Sequence, residues 1–367
     1  MIDVIVPVYA GEDETRACLA SLLAARCEVP FEVLVVDDCS PLPGLSAWLD
    51  ELAAAGHIRL LRHEHNRGFA GAVNTGMAQH PGRDVVLLNS DTEVANDWLD
   101  RIAACAAGAP DISTVTPFSN NATICSYPYE GWGGDLPGTL GLAQLDRLFA
   151  ETLAGRVVEL PTAIGFCMFI RRACLDAVGH FDEAAFGRGY GEENDFSLRA
   201  AKAGWRNVLA ADVFVYHRGA VSFGDGRLEL MRQAERTLLA RHPDYNQRVA
   251  AFITADPLAP LRDLIDRTRV GRGRAEAEQV LEERHGERAA LRSALHAARV
   301  AARAAVPRVS PPAPPAVPPN SMWRLWRNWV DEGAARLESS SRWGPRRRAL
   351  MRSLLRGVSA LSARWER

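Results

Sequence analysis

No stretch of the 367 residues approaches the roughly 20 consecutive apolar positions of a membrane-spanning helix, so no span is expected. The opening Met1-Ile2-Asp3-Val4 lacks a basic region ahead of a long apolar run, which argues against a secretory leader. The seven cysteines (Cys18, Cys27, Cys39, Cys105, Cys125, Cys167, Cys174) form no C-x-x-C pair and show no regular spacing. A disulfide framework is therefore excluded, and a reducing, cytoplasmic compartment is expected. Excess charge is also missing: 43 Lys+Arg stand against 45 Asp+Glu, a net charge of −2, which gives the whole chain no pull toward a polyanion. Lysine is scarce beside arginine and alanine is abundant, a bias of GC-rich bacterial genomes. What is present, 47% hydrophobic and 24% charged residues, is ordinary for a globular protein and sufficient for one large α/β domain with appendages, or for two domains.

The first hundred residues alternate strand and helix patterns. Val4–Tyr9 reads as a strand closed at Ala10-Gly11, followed by a helix with Glu12, Asp13 and Glu14 in its first turn and Leu19, Leu22 and Leu23 on one face. Phe31–Val36 and Ile58–Leu61 read as strands, Phe69–Gln79 as a helix, and Val85–Leu88 as a fourth strand leading into Asn89-Ser90-Asp91. Such alternation predicts a mostly parallel sheet covered on both faces, with ligands at the carboxyl ends of its strands. From about Thr116 to Leu160 glycine, proline and aromatic residues break the pattern, and an irregular region is expected. Ala163–Arg171 is apolar again; Phe196–Ala203 reads as a helix, Val213–Tyr216 as a strand, and residues 228–305 as helical by propensity.

Three islands carry the chemistry: Asn89-Ser90-Asp91, Glu192-Glu193-Asn194-Asp195 and Tyr216-His217. A carboxylate with an imidazole suits a divalent cation held against a diphosphate, and a second carboxylate suits removal of a proton from an attacking hydroxyl. Together these are the means of moving a sugar off a nucleotide.

The order Val6-Pro7-Val8-Tyr9, Val36-Asp37-Asp38-Cys39-Ser40, Leu88-Asn89-Ser90-Asp91, Gly191-Glu192-Glu193-Asn194-Asp195 and His217 resembles that of the family 2 glycosyltransferases. Asn66-Arg67-Gly68-Phe69, with Asn74 and Gly76, is similar to a segment of their rhamnosyltransferase-like branch. The resemblance spans roughly residues 2 to 225. It implies the GT-A fold, a Rossmann-like, mostly parallel mixed sheet flanked by helices, here with a helical C-terminal extension. It further implies a nucleotide-sugar donor, a glycan or lipid-linked acceptor, inversion at the anomeric carbon, and Mn²⁺ or Mg²⁺. Where the family has D-x-D this chain has Asn89-x-Asp91, which leaves one carboxylate.

On this reading Pro7, Tyr9, Asp38, Arg67, Asn89 and Asp91 bind the donor nucleotide. Asp38 accepts from a base imide N–H, Tyr9 stacks on the base, and Arg67 forks onto the diphosphate. The alternatives are that Asp37 and Asp38 cap a turn before Pro41 and that Arg67 is a solvated surface residue; Asn74 is expected to be a structural hydrogen-bonder within its helix. Asp91 and His217 are the expected metal ligands. Glu193 is the expected general base, with Glu192, Asp195 and Trp132 on the acceptor side and Asp195 also placed to serve the helix N-terminus. An acidic first helical turn or simple packing is the alternative for each.

The expected organisation is a catalytic domain over 1–240, a helical extension over 241–306, a stiff proline-rich linker over 307–320, and a basic tail over 321–367. In the tail Trp323, Trp326 and Val330 fall near one helical face beside Arg324 and Arg327. That pattern suits a peripheral contact with the inner face of a membrane; packing on the catalytic domain and partner binding remain alternatives. Nucleic acid is not an expected partner. Two rival functions stay open. A sugar-nucleotide nucleotidyltransferase is disfavoured because Val6-Pro7-Val8-Tyr9-Ala10-Gly11 stands where G-x-G-T-R-x-x-P is needed. An inactive glycan- or partner-binding relative is disfavoured by the presence of Asp91, Glu193 and His217.

Overall fold

The computed structural model describes residues 1–187, 189–219 and 227–304. Its sheet is built from β1 (Ile2–Val8), β2 (Phe31–Asp37), β3 (Arg59–Arg62), β4 (Asp84–Leu88), β5 (Thr92–Glu93), β6 (Ile112–Ser119), β7 (Val157–Leu160), β8 (Cys167–Ile170) and β9 (Arg206–His217). The near-continuous apolar runs of β1, β2 and β4 are those of strands buried on both faces. Successive side chains divide accordingly. Val4, Val6, Val8, Val33, Val35, Val86 and Leu88 enter one core layer, and Ile5, Leu34, Val36, Val85 and Leu87 enter the other.

Hydrogen bonding orders the sheet β3-β2-β1-β4-β8-β6-β9-β5, with β7 on the other edge of β9. β1, β2, β3 and β4 are mutually parallel, β8 runs antiparallel to both β4 and β6, and β9 returns to the direction of β6. The expected mixed α/β sheet is thus present, and the carboxyl ends of β1, β2, β4 and β9 lie at one edge. Tyr9, Asp38, Asn89 and His217 sit there.

Helices cover both faces: α1 (Glu12–Ala24), α2 (Pro43–Ala54), α3 (Gly68–Met77), α4 (Trp98–Ala107), α5 (Leu142–Thr152), α6 (Arg172–Val178), α7 (Glu183–Phe186) and α8 (Glu192–Lys202). After β9 come α9 (Arg227–Arg241), α10 (Tyr245–Ala255), α11 (Ala259–Val270) and α12 (Arg274–Ala304). Helix is found from Arg227 to Ala304, interrupted at Pro243 and Pro257, where the missing N–H ends a helix, and at Gly271–Gly273; residue 305 lies outside the described residues.

Two expectations need correction. The region 116–160 is not irregular throughout: it holds the end of β6, all of α5 and β7. Leu145, Leu148 and Phe149 form the buried face of α5, an i, i+3, i+4 pattern hidden in sequence by the surrounding glycines. Second, α8 begins at Glu192 rather than Phe196, so the acids lie inside its first turn.

The compact unit runs Met1–Gly273, which includes α10 and α11. Leu258, Leu261 and Ile265 belong to its main core. Arg269, wholly buried, donates to the Tyr127 hydroxyl at 2.9 Å, and that hydroxyl donates to Asp266 Oδ1 at 2.7 Å. The second unit begins at Arg274; its described part is α12, whose surface carries the pairs Arg274–Glu278 and Arg284–Glu287. All of the 307–320 proline-rich stretch and all of the 321–367 tail lie outside the described residues. Among the described residues no helix is long and apolar enough to cross a membrane.

Candidate active site

The Asn66–Gly76 segment forms the entry and body of α3, and its motif residues are largely consumed by packing. Gly76 lies against β1 so closely that a Cβ there would fall 2.6 Å from Ile5 Cγ2. Asn74 Nδ2 donates to the Phe181 carbonyl and to Glu183 Oε1, while its Oδ1 accepts from Phe181 N; this is the structural role expected of it. Arg67 forks onto Glu183 at 2.9 and 3.1 Å, with its side chain 38% exposed. Burial pushes the Glu183 carboxyl up, but bonds from Asn74 and Arg67 outweigh it and leave it below the ordinary range.

Asp37 and Asp38 are both spent on protein donors. Asp37 accepts from Ser40 N, the Ser46 hydroxyl and Arg62 Nε. Asp38, 3% exposed, takes His63 Nδ1 (2.7 Å) and Arg67 N (2.8 Å) on Oδ1 and Gly68 N (2.8 Å) on Oδ2. These bonds make the carboxylate the organiser of the loop that opens α3. Tyr9, 38% exposed, stands at the end of β1, two residues beyond the half-buried Pro7.

Asp91 and His217 are brought together by the short ladder of β5 on β9, which pairs Thr92 with His217. His217 Nε2 lies 3.4 Å from Asp91 Oδ1, with the side chains 15% and 12% exposed. His217 Nδ1 is 2.6 Å from the Asn121 carbonyl, which can only accept. Nδ1 therefore carries a proton, and Nε2, which faces Asp91, is the nitrogen that would have to be free of one for the ring to ligate a cation. The Phe166 ring stacks on the imidazole at 5.2 Å, and the Phe166 carbonyl accepts from Asn89 N. Asn89 Oδ1 is buried without a hydrogen-bond partner. Burial raises the Asp91 carboxyl, but the His217 charge and hydrogen bond, with backbone N–H groups of Asp91 and Gly219, bring it below the ordinary range.

The acidic island opens α8 behind Gly191, whose left-handed φ of 88° turns the chain into the helix. Its three acids have different surroundings. Asp195, wholly buried, accepts from Arg199 Nε and faces His242 Nε2 at 2.9 Å, with Arg241 3.4 Å away. Burial raises its carboxyl, and the His242 and Arg199 bonds more than reverse this to a net lowering. Asp195 thus ties α8 to the α9–α10 junction. Glu192 is 3% exposed and its Oε2 has no partner; burial, then the neighbouring Glu193 charge, hold its carboxyl well above the ordinary range. Glu193 rests on Gly165 and accepts from Asn194 Nδ2 at 2.9 Å. Burial raises its carboxyl too, opposed by backbone N–H groups at the helix start and by Asn194. Both carboxyls are thus raised, and Glu193 has the larger set of donors, from the helix start and from Asn194.

Trp132 lies in the glycine-rich segment after β6, its indole N–H donating to the Asp135 carbonyl and its ring edge-on to Tyr129. A cluster of Asp3, Glu32 and His80 at the amino ends of β1 and β2 also has metal-ligand types in proximity. Arg83 already bridges Asp3 (2.9 Å) and Glu32 (2.6 Å), so this cluster carries its own cation and lies at the far end of the strands from Asp91.

Sequence reasoning missed Asn120 and Asn121, which hold His217, and His242 and Tyr245, which brace α8; Tyr245 donates to Asn194 Oδ1 at 3.2 Å. The Asn-Asn pair directly after an apolar strand and the His-Pro-Asp-Tyr helix break were the available signals.

The mixed sheet thus brings an aspartate and an imidazole together at one edge. Residues 3–179 match the profile of the family described as Glycosyl transferase family 2. The chain is 28% identical over 246 residues to the Pre-mycofactocin glycosyltransferase of Mycobacterium tuberculosis (strain H37Rv), covering 66% of this chain and 48% of the relative. It is 38% identical over 109 residues to the succinoglycan biosynthesis protein ExoO of Rhizobium meliloti, covering 29% of this chain and 30% of the relative. The chain thus spans less than half the length of these curated relatives. Among solved structures, S. aureus TarS 1-349 in complex with UDP aligns at 20% identity and a TM-score of 0.45, over 69% of this chain and 70% of that one.

Proposed function

We propose that the chain transfers a hexosyl or deoxyhexosyl group from a nucleotide-sugar donor to a hydroxyl of a glycan or lipid-linked saccharide, with inversion. One observation carries the reading. The loop at Gly165-Phe166 connects the two chemical islands: Glu193 rests on Gly165, while Phe166 stacks on His217 and fixes Asn89. In the transfer, the acceptor oxygen attacks the anomeric carbon as its proton passes to Glu193, and the bond from that carbon to the diphosphate oxygen breaks on the opposite side. The raised proton affinity of Glu193 suits it to this removal, and Asn194 keeps the carboxylate oriented.

The residues fit a divalent cation. Asp91 supplies a hard carboxylate, His217 an imidazole whose outer nitrogen is fixed by a carbonyl, and Asn89 an orphan amide oxygen. Mn²⁺ or Mg²⁺ bound there supplies charge neutralisation for the departing diphosphate. Tyr9 and Pro7 flank the nucleotide, Arg67 lies within reach of its phosphates once released from Glu183, and Trp132 offers a sugar-stacking face on the acceptor side. The relatives named for succinoglycan and O-antigen biosynthesis support an acceptor in cell-envelope polysaccharide assembly. A cytoplasmic enzyme whose arginine- and tryptophan-bearing 321–367 segment touches anionic lipid fits the same role. Removing residues 320–367 should then abolish co-sedimentation with anionic vesicles at low salt and leave donor hydrolysis intact; a full chain that stays in the supernatant refutes the lipid contact.

The decisive test is Asp91→Ala in the full chain, assayed for nucleoside diphosphate release and for Mn²⁺ binding. Both should be lost, and the wild-type product should carry the anomeric configuration opposite to the donor. Full activity in EDTA, or retained configuration, overturns the scheme.

A further inference from the structure

Asn120 joins two parts of the molecule that the chemistry described so far treats separately. It stands just past β6 and is 1% exposed. Both hydrogens of its side-chain amide are in use, one on the Gly134 carbonyl at 2.7 Å and one on the His217 carbonyl at 3.0 Å. Its Oδ1 accepts from His217 N at 2.8 Å and from the Ser119 hydroxyl at 3.3 Å. Its own carbonyl accepts from Gly133 N at 2.9 Å. An amide has two donors and two acceptor positions, so this side chain is used to capacity.

The next residue continues the pattern. The Asn121 carbonyl fixes His217 Nδ1, and its side chain lies so close to Gly219, at φ +68°, that a Cβ there would fall 2.0 Å from Asn121 Nδ2. On one side of Asn120, then, is the end of β9 with its imidazole. On the other is the glycine-rich turn that presents Trp132. Within that turn Gly131 N reaches the Thr123 carbonyl, Trp132 N the Tyr129 carbonyl and the Trp132 indole the Asp135 carbonyl.

We propose that Asn120 is a positioning residue that couples the two, so that the seating of the Trp132 turn depends on the state of His217. A ligand that immobilises the imidazole also immobilises the backbone of residue 217, whose N–H and carbonyl are both held by the Asn120 amide. The same amide holds Gly134, so ordering passes to the turn without any change of partners. Acceptor engagement is thereby conditioned on the donor side being filled. The proposal rests on the metal and acceptor reading above for its functional meaning, but the clamp itself does not.

Hydrogen exchange of the full chain tests it, with Mn²⁺ alone as the probe and Mn²⁺ plus UDP as a second arm. Without ligand, Asn120→Ala should speed exchange in residues 131–134 by up to roughly tenfold, the scale of the one hydrogen bond lost there, to the Gly134 carbonyl, with 217–219 also faster. In wild type, Mn²⁺ should slow exchange at both 217–219 and 131–134. In Asn120→Ala it should slow 217–219 only. Asn120→Asp keeps the acceptor for His217 N and loses both donors, so it should release the turn as the alanine variant does.

If either variant fails to fold, the wild-type response to Mn²⁺ still decides the coupling. Mn²⁺ binding that protects 217–219 and leaves 131–134 unchanged overturns it. Unliganded exchange at 131–134 that is equal in wild type and both folded variants overturns the clamp. No Mn²⁺ binding at all refutes the metal reading and not the clamp, which stands on the unliganded rates.

Discussion

Two acidic pairs, Asp37-Asp38 and Glu192-Glu193, look equivalent as sequence and are opposites as structure. At the end of β2 every carboxylate oxygen has a protein donor: Ser40, Ser46 and Arg62 for Asp37, and His63, Arg67 N and Gly68 N for Asp38. At the start of α8, Glu192 Oε2 has none, and Glu193 leans on a single side-chain amide beside the helix N–H groups. A buried carboxylate saturated by its own protein holds the fold together. One left under-served keeps a high proton affinity and can take a proton from elsewhere.

That contrast is sharpest in the outcome of four substitutions. Glu193→Gln keeps shape and removes the base, so turnover should fall about 10²–10⁴-fold while the melting temperature and donor affinity hold. Comparable turnover would move the base to Glu192. Asp38→Ala should do the reverse. It strands two backbone N–H groups and His63, so chemical denaturation should report a loss of about 2–4 kcal/mol. A stable Asp38→Ala protein with weakened nucleotide binding would return Asp38 to the donor site. Next in size is the pH response of Glu192→Gln. The raised carboxyl of Glu192 means that the folded state holds its proton above the ordinary value of 4.5, so its burial costs stability that grows as pH rises. The glutamine variant should melt roughly 2 °C or more above wild type at pH 8 and together with it at pH 4. The opposite trend would mean that Glu192 has an ionic partner. Least is Arg67→Ala: the half-exposed pair with Glu183 should contribute under about 1 kcal/mol, so a large rise in donor KM without a stability change would assign Arg67 to the phosphates.

Glu193 follows the same logic in rate. As a base it must be ionised, and since its carboxyl is raised, the acid limb of turnover should lie above the ordinary glutamate value of 4.5; the residual rate of Glu193→Gln should show no such limb.

The strands of the parallel half were legible because burial on both faces writes itself as unbroken Val-Ile-Leu runs, as in Val4–Val8 and Val85–Leu88. Asp91 and His217 were legible because strand ends present side chains at one edge. α5 was not, since its two buried turns lie between glycine-rich stretches whose turn signals dominate a local reading. Nor was the division of labour among Glu192, Glu193 and Asp195. It depends on His242 and Arg199, and His242 is a partner 47 residues away that no local pattern announces. The loop that folds over Asp38 was hidden for a related reason: its backbone donors, Arg67 N and Gly68 N, lie 29 and 30 residues away.

The Tyr127–Asp266 bond joins residues 139 apart in the chain. On a ribosome adding about 5–20 residues per second, Tyr127 emerges on the order of ten seconds before its anchor exists. For that interval the Asn120–Trp132 segment has β6 and Phe149 of α5 beside it but not α11, so the side of Tyr127 that α11 closes stays open. Translation speed through residues 240–270 therefore sets how long a nascent chain displays this surface to chaperones, and slowing it there should raise the aggregated fraction while leaving the stability of the finished protein unchanged.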